Sequence, residues 1–444
     1  MAARRERERH GLLGRRRGLG SGVTGPAAPR GPWSLRELHR DLRDGRTTPA
    51  DALARSRAAV ADTESEVHAW VARDPEPEPR ATGPLGGVPL GVKDIIDVAG
   101  FPTRCGTSLR EHAAPAGTDA AIVTAWRRAG AIPVGKTVTT EFAYFSPGPT
   151  RNPRALGHTP GGSSSGSAAA VASGHVPLAL GTQTAASVTR PASYCGVASL
   201  VLTHGRIPMT GTAGLSPSFD SHGLYTAGVT DLALAWSALT GEADPGATAP
   251  RPPRLLLWTA KSLGVVEDGM REAVDAAARR LADAGAVVDA FPEEGLVAEA
   301  VAAQKIVMAY EAARERAAEL AVASRLSEQL ATLLRSGEAM APAEYDAARS
   351  RLAEIGSALT DLSASYDAVV GPAAPGPAPV GLSATGDPIL SRPWQALGLP
   401  VVTVPGTADA AGLPLGVQLV GRACGEHALL TAGCWTESAL RGRE

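Results

Sequence analysis

The chain has 444 residues, 44% of them hydrophobic, and its 43 Lys and Arg residues nearly balance 45 Asp and Glu residues. This composition is typical of a globular protein with a large core, and the net charge of −2 excludes a general attraction to nucleic acid or to an anionic membrane. No segment is long and apolar enough for a membrane span or a signal peptide, and the four cysteines form no C-x-x-C pair, so we expect a cytoplasmic protein without a disulfide framework or a zinc site.

The N-terminal segment is rich in arginine and then in Gly, Ser and Pro. Residues 1–32 are therefore predicted to form a disordered basic tail, and they contain no aromatic side chain that could stack on a nucleic-acid base. We expect residues 33–444 to form one domain.

Two helices are predicted at the start of this domain. Ser34 and Glu37 have the spacing of a capping box for a helix over 35–43. Thr48, followed by proline at the first helical position, predicts a second helix over 49–60.

From residue 88 onward, predicted strands and helices alternate. Strands are expected at 88–92, 131–134, 176–180, 254–258, 286–290, 367–370, 401–404 and 417–420. Helices are expected at 118–129, 167–172, 230–239 and 269–284, and helical spacing continues through 293–363. This order predicts an α/β fold with a mixed, mostly parallel twisted β-sheet that helices cover on both faces.

Residues 130–137 match the phosphate-binding loop pattern of nucleotide hydrolases, with Lys136 as its lysine. The context is unsuitable, because that loop should follow a strand, whereas Gly130 follows a predicted helix. Gly130 is better interpreted as the residue that ends the helix. A nucleotide hydrolase therefore stays a remote alternative.

Residues 162–166 match the G-x-S-x-G pattern of α/β-hydrolases, with Ser164 as the nucleophile. That pattern needs a strand directly before it, and residues 158–161 are predicted to be a loop instead. Several histidines follow, and none stands out as the base. A simple entry into the helix at 167–172 explains this loop equally well.

Lysine is rare in this chain, since only four of its 43 basic residues are lysines. One of them, Lys93, ends the apolar strand at 88–92. A buried lysine can lose its proton near neutral pH, whereas an arginine cannot, so Lys93 is a candidate base. An ion pair with Asp94 or Asp97 is the simpler alternative.

A set of ordered motifs over residues 33–444 resembles the amidase signature family. The motifs are Gly86-Gly-Val-Pro-Leu-Gly-Val-Lys-Asp94, Gly135-Lys-Thr137 with Glu141-Phe-Ala143, Arg151-Asn-Pro153, Gly161 to Ala172, Gly181 to Ala192, Gly398-Leu-Pro400 and Gly412 to Gly421. The resemblance implies the amidase signature fold, with a signature core at about 83–231 and a helical substrate-pocket region at about 293–363.

The resemblance also implies a Ser-Ser-Lys triad, one serine of which follows an unusual cis peptide bond. The matching positions are Lys93, Ser163 and Ser187. Ser187 would attack the carbonyl carbon, while Lys93 would act as the base and acid through Ser163. The oxyanion would bind to the backbone N–H groups of the turn Thr184, Ala185, Ala186 and Ser187. Substrate contacts are expected from Phe142, Tyr144, Gly161 and Gly162.

The chain departs from the family pattern near this turn. Gln183 replaces the usual Asp, Ala185-Ala186 replaces Gly-Gly, and Thr189 replaces an Arg, for which Arg190 could compensate. A Cβ at Ala186 would be costly, by roughly 1–2 kcal/mol, if the backbone there needed a positive φ.

The sequence thus predicts an amidase that hydrolyses a linear carboxylic amide through an acyl-enzyme, without a metal or cofactor. We expect a small-molecule amide as its partner and no nucleic acid or membrane, and leave a homodimer open. Two alternatives remain within the family. One is the amidase-like subunit of a tRNA-dependent amidotransferase, and the other is a weakened relative that acts by binding.

Overall fold

The computed structural model describes residues 31–246 and 251–442, so residues 1–30 of the predicted tail lie outside the described residues. An eleven-stranded sheet runs through the centre of the structure. Its strands are β1 (Trp70–Arg73), β2 (Pro89–Lys93), β3 (Ile132–Thr137), β4 (Leu178–Gln183), β5 (Ala198–Val201), β6 (Ser221–Thr226), β7 (Arg254–Leu257), β8 (Val287–Ala290), β9 (Ala368–Pro372), β10 (Val401–Ala408) and β11 (Pro414–Val420).

Helices precede, connect and follow these strands. They are α1 (Leu35–Arg43), α2 (Pro49–Val67), α3 (Ala121–Ala129), α4 (Ser165–Ala172), α5 (Thr189–Cys195), α6 (Val229–Thr240), α7 (Asp268–Asp283), α8 (Glu294–Glu315), α9 (Ala317–Leu320), α10 (Glu328–Ala339), α11 (Pro342–Leu362), α12 (Arg392–Ala396) and α13 (Glu426–Arg441). Within the described ranges, no helix is both long and apolar enough to span a bilayer.

The predicted α/β class with a mixed sheet is confirmed, but the expectation that the sheet is mostly parallel is wrong. The strand order is β1-β3-β2-β4-β6-β5-β10-β11-β9-β7-β8, and six of its ten pairings are antiparallel. Parallel pairs are confined to β3-β2-β4 and β9-β7-β8. In the centre, β5 and β6 are joined by residues 202–220 and β10 and β11 by residues 409–413, and neither connection contains the helix that a parallel crossover usually uses.

Local sequence signals set the start of each of the first two helices, although only half of the capping box predicted at Ser34 and Glu37 forms. The Ser34 hydroxyl accepts a hydrogen bond from the Glu37 amide, and Thr48 forms a complete capping box with Asp51. The second helix runs seven residues further than predicted, to Val67. Its buried positions continue to Val67, and it ends at His68, whose backbone is left-handed with a φ of +54° and whose amide donates to Glu64 O.

The phosphate-loop match has a structural explanation. Gly130 follows the last residue of α3 with a φ of +100°, a left-handed conformation suited to glycine. Gly135, Lys136 and Thr137 lie inside β3, where their amides cannot form a loop around phosphate. The geometry thus agrees with a helix end followed by a strand.

The parallel pair of β2 and β4 places the key residues. Val92 lies opposite Leu180, so both strands end at the same edge of the sheet, β2 at Lys93 and β4 at Gln183. The serine-rich loop before α4 and the turn before α5 meet at this edge, where Ser164 N donates to Ser187 O. The fold therefore brings together segments that lie about ninety residues apart.

Candidate active site

Lys93 and Ser163 are in direct contact. Lys93 Nζ lies 2.7 Å from Ser163 Oγ, and it also lies 2.9 Å from Thr182 Oγ1 and 3.3 Å from Thr182 O. The side chain of Lys93 is completely buried, and Ser163 is 3% exposed. The partners of the Lys93 amine are thus neutral oxygen atoms.

The simpler alternative for Lys93, an ion pair with Asp94 or Asp97, is not what the structure contains. Asp94 Oδ1 lies 3.0 Å from Lys136 Nζ, and both side chains are fully buried. Lys136 also donates to Thr103 Oγ1 over 2.9 Å. Within the described residues, Lys93 forms no ion pair with a carboxylate.

Burial lowers the pKa of Lys93 from 10.5 to about 7, because the charged ammonium loses its hydration. The nearby carboxylate of Asp220 opposes this shift through space. A lysine with a pKa near 7 can accept and donate a proton at neutral pH, which a general acid–base catalyst requires.

The serine-rich loop is held in place from several sides. Its Gly162–Ser163 peptide bond is cis, and the resemblance implies such a bond before one serine of the triad. Ser165 Oγ donates to Gly161 O, and Arg190 Nη2 donates to Gly162 O over 2.7 Å. Arg190, the residue expected to compensate for Thr189, therefore binds the loop directly before Ser163.

Ser187 lies at the end of the neighbouring turn. Its carbonyl oxygen accepts hydrogen bonds from Ser164 N and from the Tyr225 hydroxyl. The Ser187 side chain, 8% exposed, lines the same cavity as Ser163, and within the described ranges its hydroxyl has no hydrogen-bond partner. The structure thus forms the Lys93–Ser163 contact, and it places Ser187 beside the same cavity without a hydrogen bond to Ser163.

The turn before Ser187 presents free backbone amides. In the part of the chain that the structure describes, the N–H groups of residues 184–187 donate no hydrogen bond to protein, and all four residues line the cavity. Ala185 and Ala186 are not among the described residues with positive φ, so their Cβ atoms carry no conformational cost. Alanine therefore fits where the family pattern has glycine.

Gln183 supports this turn at the position where the family usually has Asp. Its Oε1 accepts hydrogen bonds from the amides of Val188 and Thr189, at 2.9 and 3.1 Å, at the start of α5. Its Nε2 donates to Gln395 Oε1 over 3.1 Å. Gln395 Nε2 in turn donates to Phe219 O and to Ser221 Oγ. A pair of glutamine amides thus connects the turn to α12 and β6.

Thr184 fixes the other end of the turn. Its hydroxyl donates to Asp220 Oδ1 over 2.5 Å, and Asp220 Oδ2 also accepts from the amides of Leu215 and Ser216. Thr184 O accepts a hydrogen bond from Gln304 Nε2. Burial raises the pKa of Asp220, whereas the bond from Thr184 lowers it.

The cavity beside Ser163 and Ser187 is narrow: the centre of a water-sized sphere can occupy about 30 Å³ of it, within about 350 Å³ of empty space that includes its opening to solvent. Tyr144 lines it, as expected, together with Phe145 and Met308. Phe142, Gly161 and Gly162 do not. Phe142 is 1% exposed in the core, where the guanidinium groups of Arg110 and Arg316 approach its ring. Gly161 packs closely on Pro191, and Gly162 on Thr385.

The alternative nucleophile Ser164 is buried away from the cavity. It is fully buried, its Oγ donates to Thr182 O over 3.3 Å, and it accepts from Thr182 N. No strand directly precedes the loop. Ser164 thus connects the loop to β4 and has no geometry for attack on a substrate.

Several site residues were not predicted from the sequence. Thr182 contacts the Lys93 amine, Gln304 connects Arg392 to the turn, and Gln395 binds the Gln183 amide group. Thr182 lies inside the motif Gly181 to Ala192, so its place in the sequence could have indicated a role at the site. The described residues contain no group of three or more His, Cys, Asp or Glu side chains suited to a metal ion.

Comparison with known proteins agrees with this geometry. The family model for amidases matches residues 55–430. The A subunit of the glutamyl-tRNA(Gln) amidotransferase of Lachnospira eligens is 32% identical, over 92% of this chain and 98% of that protein. AtzE, which is a 1-carboxybiuret hydrolase subunit from Pseudomonas sp. strain ADP, is 32% identical, over 89% of this chain and 96% of that protein.

A crystal structure of an amidase superposes with a TM-score of 0.82 at 28% identity, over 91% of this chain and 99% of that one. The match of the family model covers most of the chain and includes the serine-rich loop and the turn before α5. The chain therefore belongs to the amidase signature family.

Proposed function

We propose that this protein hydrolyses a linear carboxylic amide to a carboxylic acid and ammonia or an amine, through an acyl-enzyme on Ser187. One observation carries the proposal. The Lys93 amine is fully buried, lies 2.7 Å from Ser163 Oγ and has no carboxylate partner within the described residues. An amine in this setting is neutral for part of the time at pH 7 and can act as a base.

The hydrogen-bond partners of Lys93 suit a neutral amine. A neutral amine has two N–H groups and one lone pair. The two oxygens of Thr182 can accept from the N–H groups, and the lone pair can accept from the Ser163 hydroxyl. Ser163 Oγ then has its own lone pairs free to take the proton of Ser187. This arrangement supports proton transfer from Ser187 through Ser163 to Lys93.

The reaction follows from these roles. Ser187 Oγ attacks the amide carbon while its proton passes through Ser163 to Lys93. The proton then returns through Ser163 to the leaving nitrogen, the C–N bond breaks and an acyl-enzyme remains. Water then attacks the ester, and its proton passes through Ser163 to Lys93. The proton returns through Ser163 to Ser187 Oγ as the ester C–O bond breaks and the acid is released. The Ser163–Ser187 hydrogen bond is needed only during these steps, and catalytic hydrogen bonds often tighten when substrate binds.

The turn at 184–187 supports stabilisation of the oxyanion. Its amides line the cavity and have no protein acceptor within the described residues. Each well-placed donor of this kind contributes a factor of about 10²–10³ to the rate. Gln183, Asp220 and Gln304 hold this turn through hydrogen bonds.

Labelling with a neutral fluorophosphonate tests the nucleophile, and ammonia release from a panel of aliphatic and aromatic amides tests hydrolysis. Wild-type protein is expected to be labelled once and to release ammonia. Ser187→Ala is expected to lose both activities. Ser164→Ala is the matched control, because Ser164 carries the same hydroxyl in the adjacent loop but is buried away from the cavity, and it is expected to be labelled.

Each adverse outcome has a distinct meaning. Labelling of Ser187→Ala would assign the nucleophile to another residue. Wild-type protein that resists the probe would favour a relative that acts by binding.

A second candidate function is the amidase-like subunit of an amidotransferase, which the similarity to the A subunits of glutamyl-tRNA(Gln) amidotransferases favours. Such a subunit would hydrolyse glutamine and would need partner chains. Affinity purification of the full chain from its source cells would then recover a stoichiometric second subunit. This function would be contradicted if the isolated chain hydrolysed amides as fast as it does together with the second subunit.

The four cysteines are free, and Cys105, Cys195 and Cys434 are buried. Free thiols support the proposal that the protein acts in the reducing cytoplasm. A small-molecule amide is proposed as its substrate. The proposal leaves open whether the protein forms a homodimer, and sedimentation of the purified chain would test this.

A further inference from the structure

Two buried arginines line the cavity beside Ser187, and neither forms an ion pair within the described residues. Arg190 is 4% exposed and Arg392 is 6% exposed. A buried charge without a counter-ion is costly, because it loses its hydration and gains no Coulomb attraction in return. Burial accordingly lowers the pKa of Arg190 to about 10 and also lowers that of Arg392.

Arg190 makes three hydrogen bonds to the surrounding loops. Its Nη1 donates to Gly386 O over 2.8 Å, and its Nη2 donates to Gly162 O and to Thr385 Oγ1. Its Nε is buried without a partner, so it is closed to a ligand. Arg190 therefore fixes the serine-rich loop to residues 385–386.

Arg392 has a different arrangement. Its Nη1 donates to Gln304 Oε1 over 2.5 Å, while Nε and Nη2 have no hydrogen-bond partner within the described part of the chain. These two groups form one edge of the planar guanidinium, and that edge matches the two oxygens of a carboxylate. Arg392 thus offers a free two-donor edge at the cavity.

No protein carboxylate occupies this edge in the described ranges. The charge of Asp387 acts on Arg392 through space, but Asp387 is exposed and its Oδ1 accepts from the Ile389 amide. Among residues 31–246 and 251–442, no carboxylate oxygen lies within ion-pair distance of Arg190 or Arg392. The cavity is therefore a cationic site with walls that are partly apolar, including Tyr144, Leu215 and Met308.

The position of Arg392 relative to the turn is also fixed. Gln304 accepts from Arg392 with Oε1 and donates to Thr184 O with Nε2. The guanidinium is thus connected by one side chain to the turn whose amides face the cavity. An anion bound to Arg392 would lie at a set distance from a carbonyl bound at that turn.

We infer that Arg392 binds a carboxylate of the substrate, and that the protein therefore acts on amides of molecules that also carry a carboxylic acid. This inference rests on the proposed function, because it assigns the substrate class for hydrolysis at Ser187. Because Arg392 is only 6% exposed, its charge-assisted hydrogen bonds to the carboxylate compete little with water and are stronger than at a solvated surface. Arg392 is then the residue that selects acidic amides over neutral ones.

Matched substrate pairs test the inference. Succinamic acid and butyramide have chains of equal length, as have glutaramic acid and valeramide, and each pair differs by one carboxylate. We expect a higher kcat/KM for the acids with wild-type protein. The ratio of acid to neutral kcat/KM should fall about 10- to 100-fold in Arg392→Gln, which loses a charge-assisted hydrogen bond. Arg392→Lys should recover part of it.

Arg351→Gln is the matched control, since it removes one positive charge from a partly exposed position on α11, where Arg351 pairs with Glu299 and Glu354. Its acid-to-neutral ratio should equal that of wild-type protein. A second measurement does not require turnover. Succinate and glutarate should slow the labelling of wild-type protein by the neutral fluorophosphonate, and they should protect Arg392→Gln about 10-fold less well.

The outcomes separate this inference from the proposed function. If wild-type protein is not labelled at all, the proposed function fails, and the inference fails with it. If labelling and hydrolysis occur but acids are neither preferred nor protective, the proposed function stands and the inference is overturned. An acid preference that persists in Arg392→Gln would also overturn it. Labelling of that variant by the neutral probe alone verifies that its site is intact.

Discussion

Asp94 and Lys136 form a fully buried ion pair, with 3.0 Å between Asp94 Oδ1 and Lys136 Nζ. The two residues come from neighbouring parallel strands, Lys136 from β3 and Asp94 from the position directly after β2. Asp94 is thus paired with Lys136, and the adjacent Lys93 has no carboxylate in ion-pair contact in the described part of the chain. Two of the four lysines thus have opposite environments within one layer of the sheet, one paired with an anion and one surrounded by neutral oxygens.

Breaking this ion pair should destabilise the fold strongly. We expect Lys136→Met to lower the free energy of unfolding by about 3–5 kcal/mol, because it leaves the Asp94 carboxylate buried and unpaired. The double variant Asp94→Asn with Lys136→Met leaves no charge unpaired. Its loss in the free energy of unfolding should therefore be smaller, by about 0.5–3 kcal/mol, than the sum of the losses in the two single variants. Urea unfolding of the four proteins measures this difference. Additive losses would contradict the ion pair.

Local sequence was sufficient to predict the elements whose ends are set by caps. The first helix has the predicted bounds because Ser34 and Asp44 close it through neighbouring residues. In contrast, β5 and β6 were not predicted, and neither was the antiparallel direction of the central strands. The β5–β10 pairing joins residues two hundred positions apart, such as Val201 and Val401, which no local pattern encodes. The β5–β6 pairing spans only 22 to 28 positions, but its connection at 202–220 contains no tight-turn signal that would mark a hairpin.

The same limit applies to the site. The rarity of lysine and the position of Lys93 at the end of an apolar run made it a candidate base, and the resemblance to the amidase signature family assigned it that role. The partners that hold the turn could not be selected in this way. Gln183 and Gln395 are 212 positions apart, and Gln304 and Arg392 are 88 apart. Phe142, by contrast, was expected at the substrate because of its neighbours, whereas its ring is buried in the core.

The rate of the first chemical step should follow the protonation of Lys93. With its pKa at about 7, Lys93 is protonated and inactive as a base at pH 5.5, and mostly neutral at pH 8. The second-order rate constant for fluorophosphonate labelling should therefore rise with pH and level off above an inflection near pH 7. Lys93→Arg should remain inactive across the range, because arginine keeps its proton. A flat profile in wild-type protein would contradict the role of Lys93.

The same lowered pKa predicts a pH dependence of stability that does not involve activity. Between pH 7 and 10 the unfolded chain binds a proton on Lys93, whose ordinary pKa is 10.5, whereas the folded chain does not. The unfolded state then holds one more proton, so the free energy of unfolding should rise with pH by up to about 1.4 kcal/mol per unit from this residue. Lys93→Met removes the titrating group and should have a shallower slope over that range. Equal slopes for the two proteins would show that Lys93 keeps an ordinary pKa in the fold.

The Gln183–Gln395 pair gives a final prediction, because it explains how this chain tolerates a change from the family's usual Asp. A carboxylate at 183 could accept from the amides of Val188 and Thr189 but could not donate to Gln395 Oε1, which now receives a hydrogen bond over 3.1 Å. Gln183→Asp should therefore place an unpaired acceptor and a buried charge beside the turn, and it should lower the labelling rate of Ser187 by about 10- to 100-fold.

Gln395→Leu should lower the rate as well, since it removes the group that orients Gln183. In the double variant the labelling rate should fall by less than the product of the two single fold-reductions, because both changes break the same hydrogen bond. If Gln183→Asp were labelled as fast as wild-type protein, the glutamine pair would not position the turn. Labelling rates of the four proteins at pH 8, where Lys93 is mostly neutral, measure this coupling without interference from its protonation.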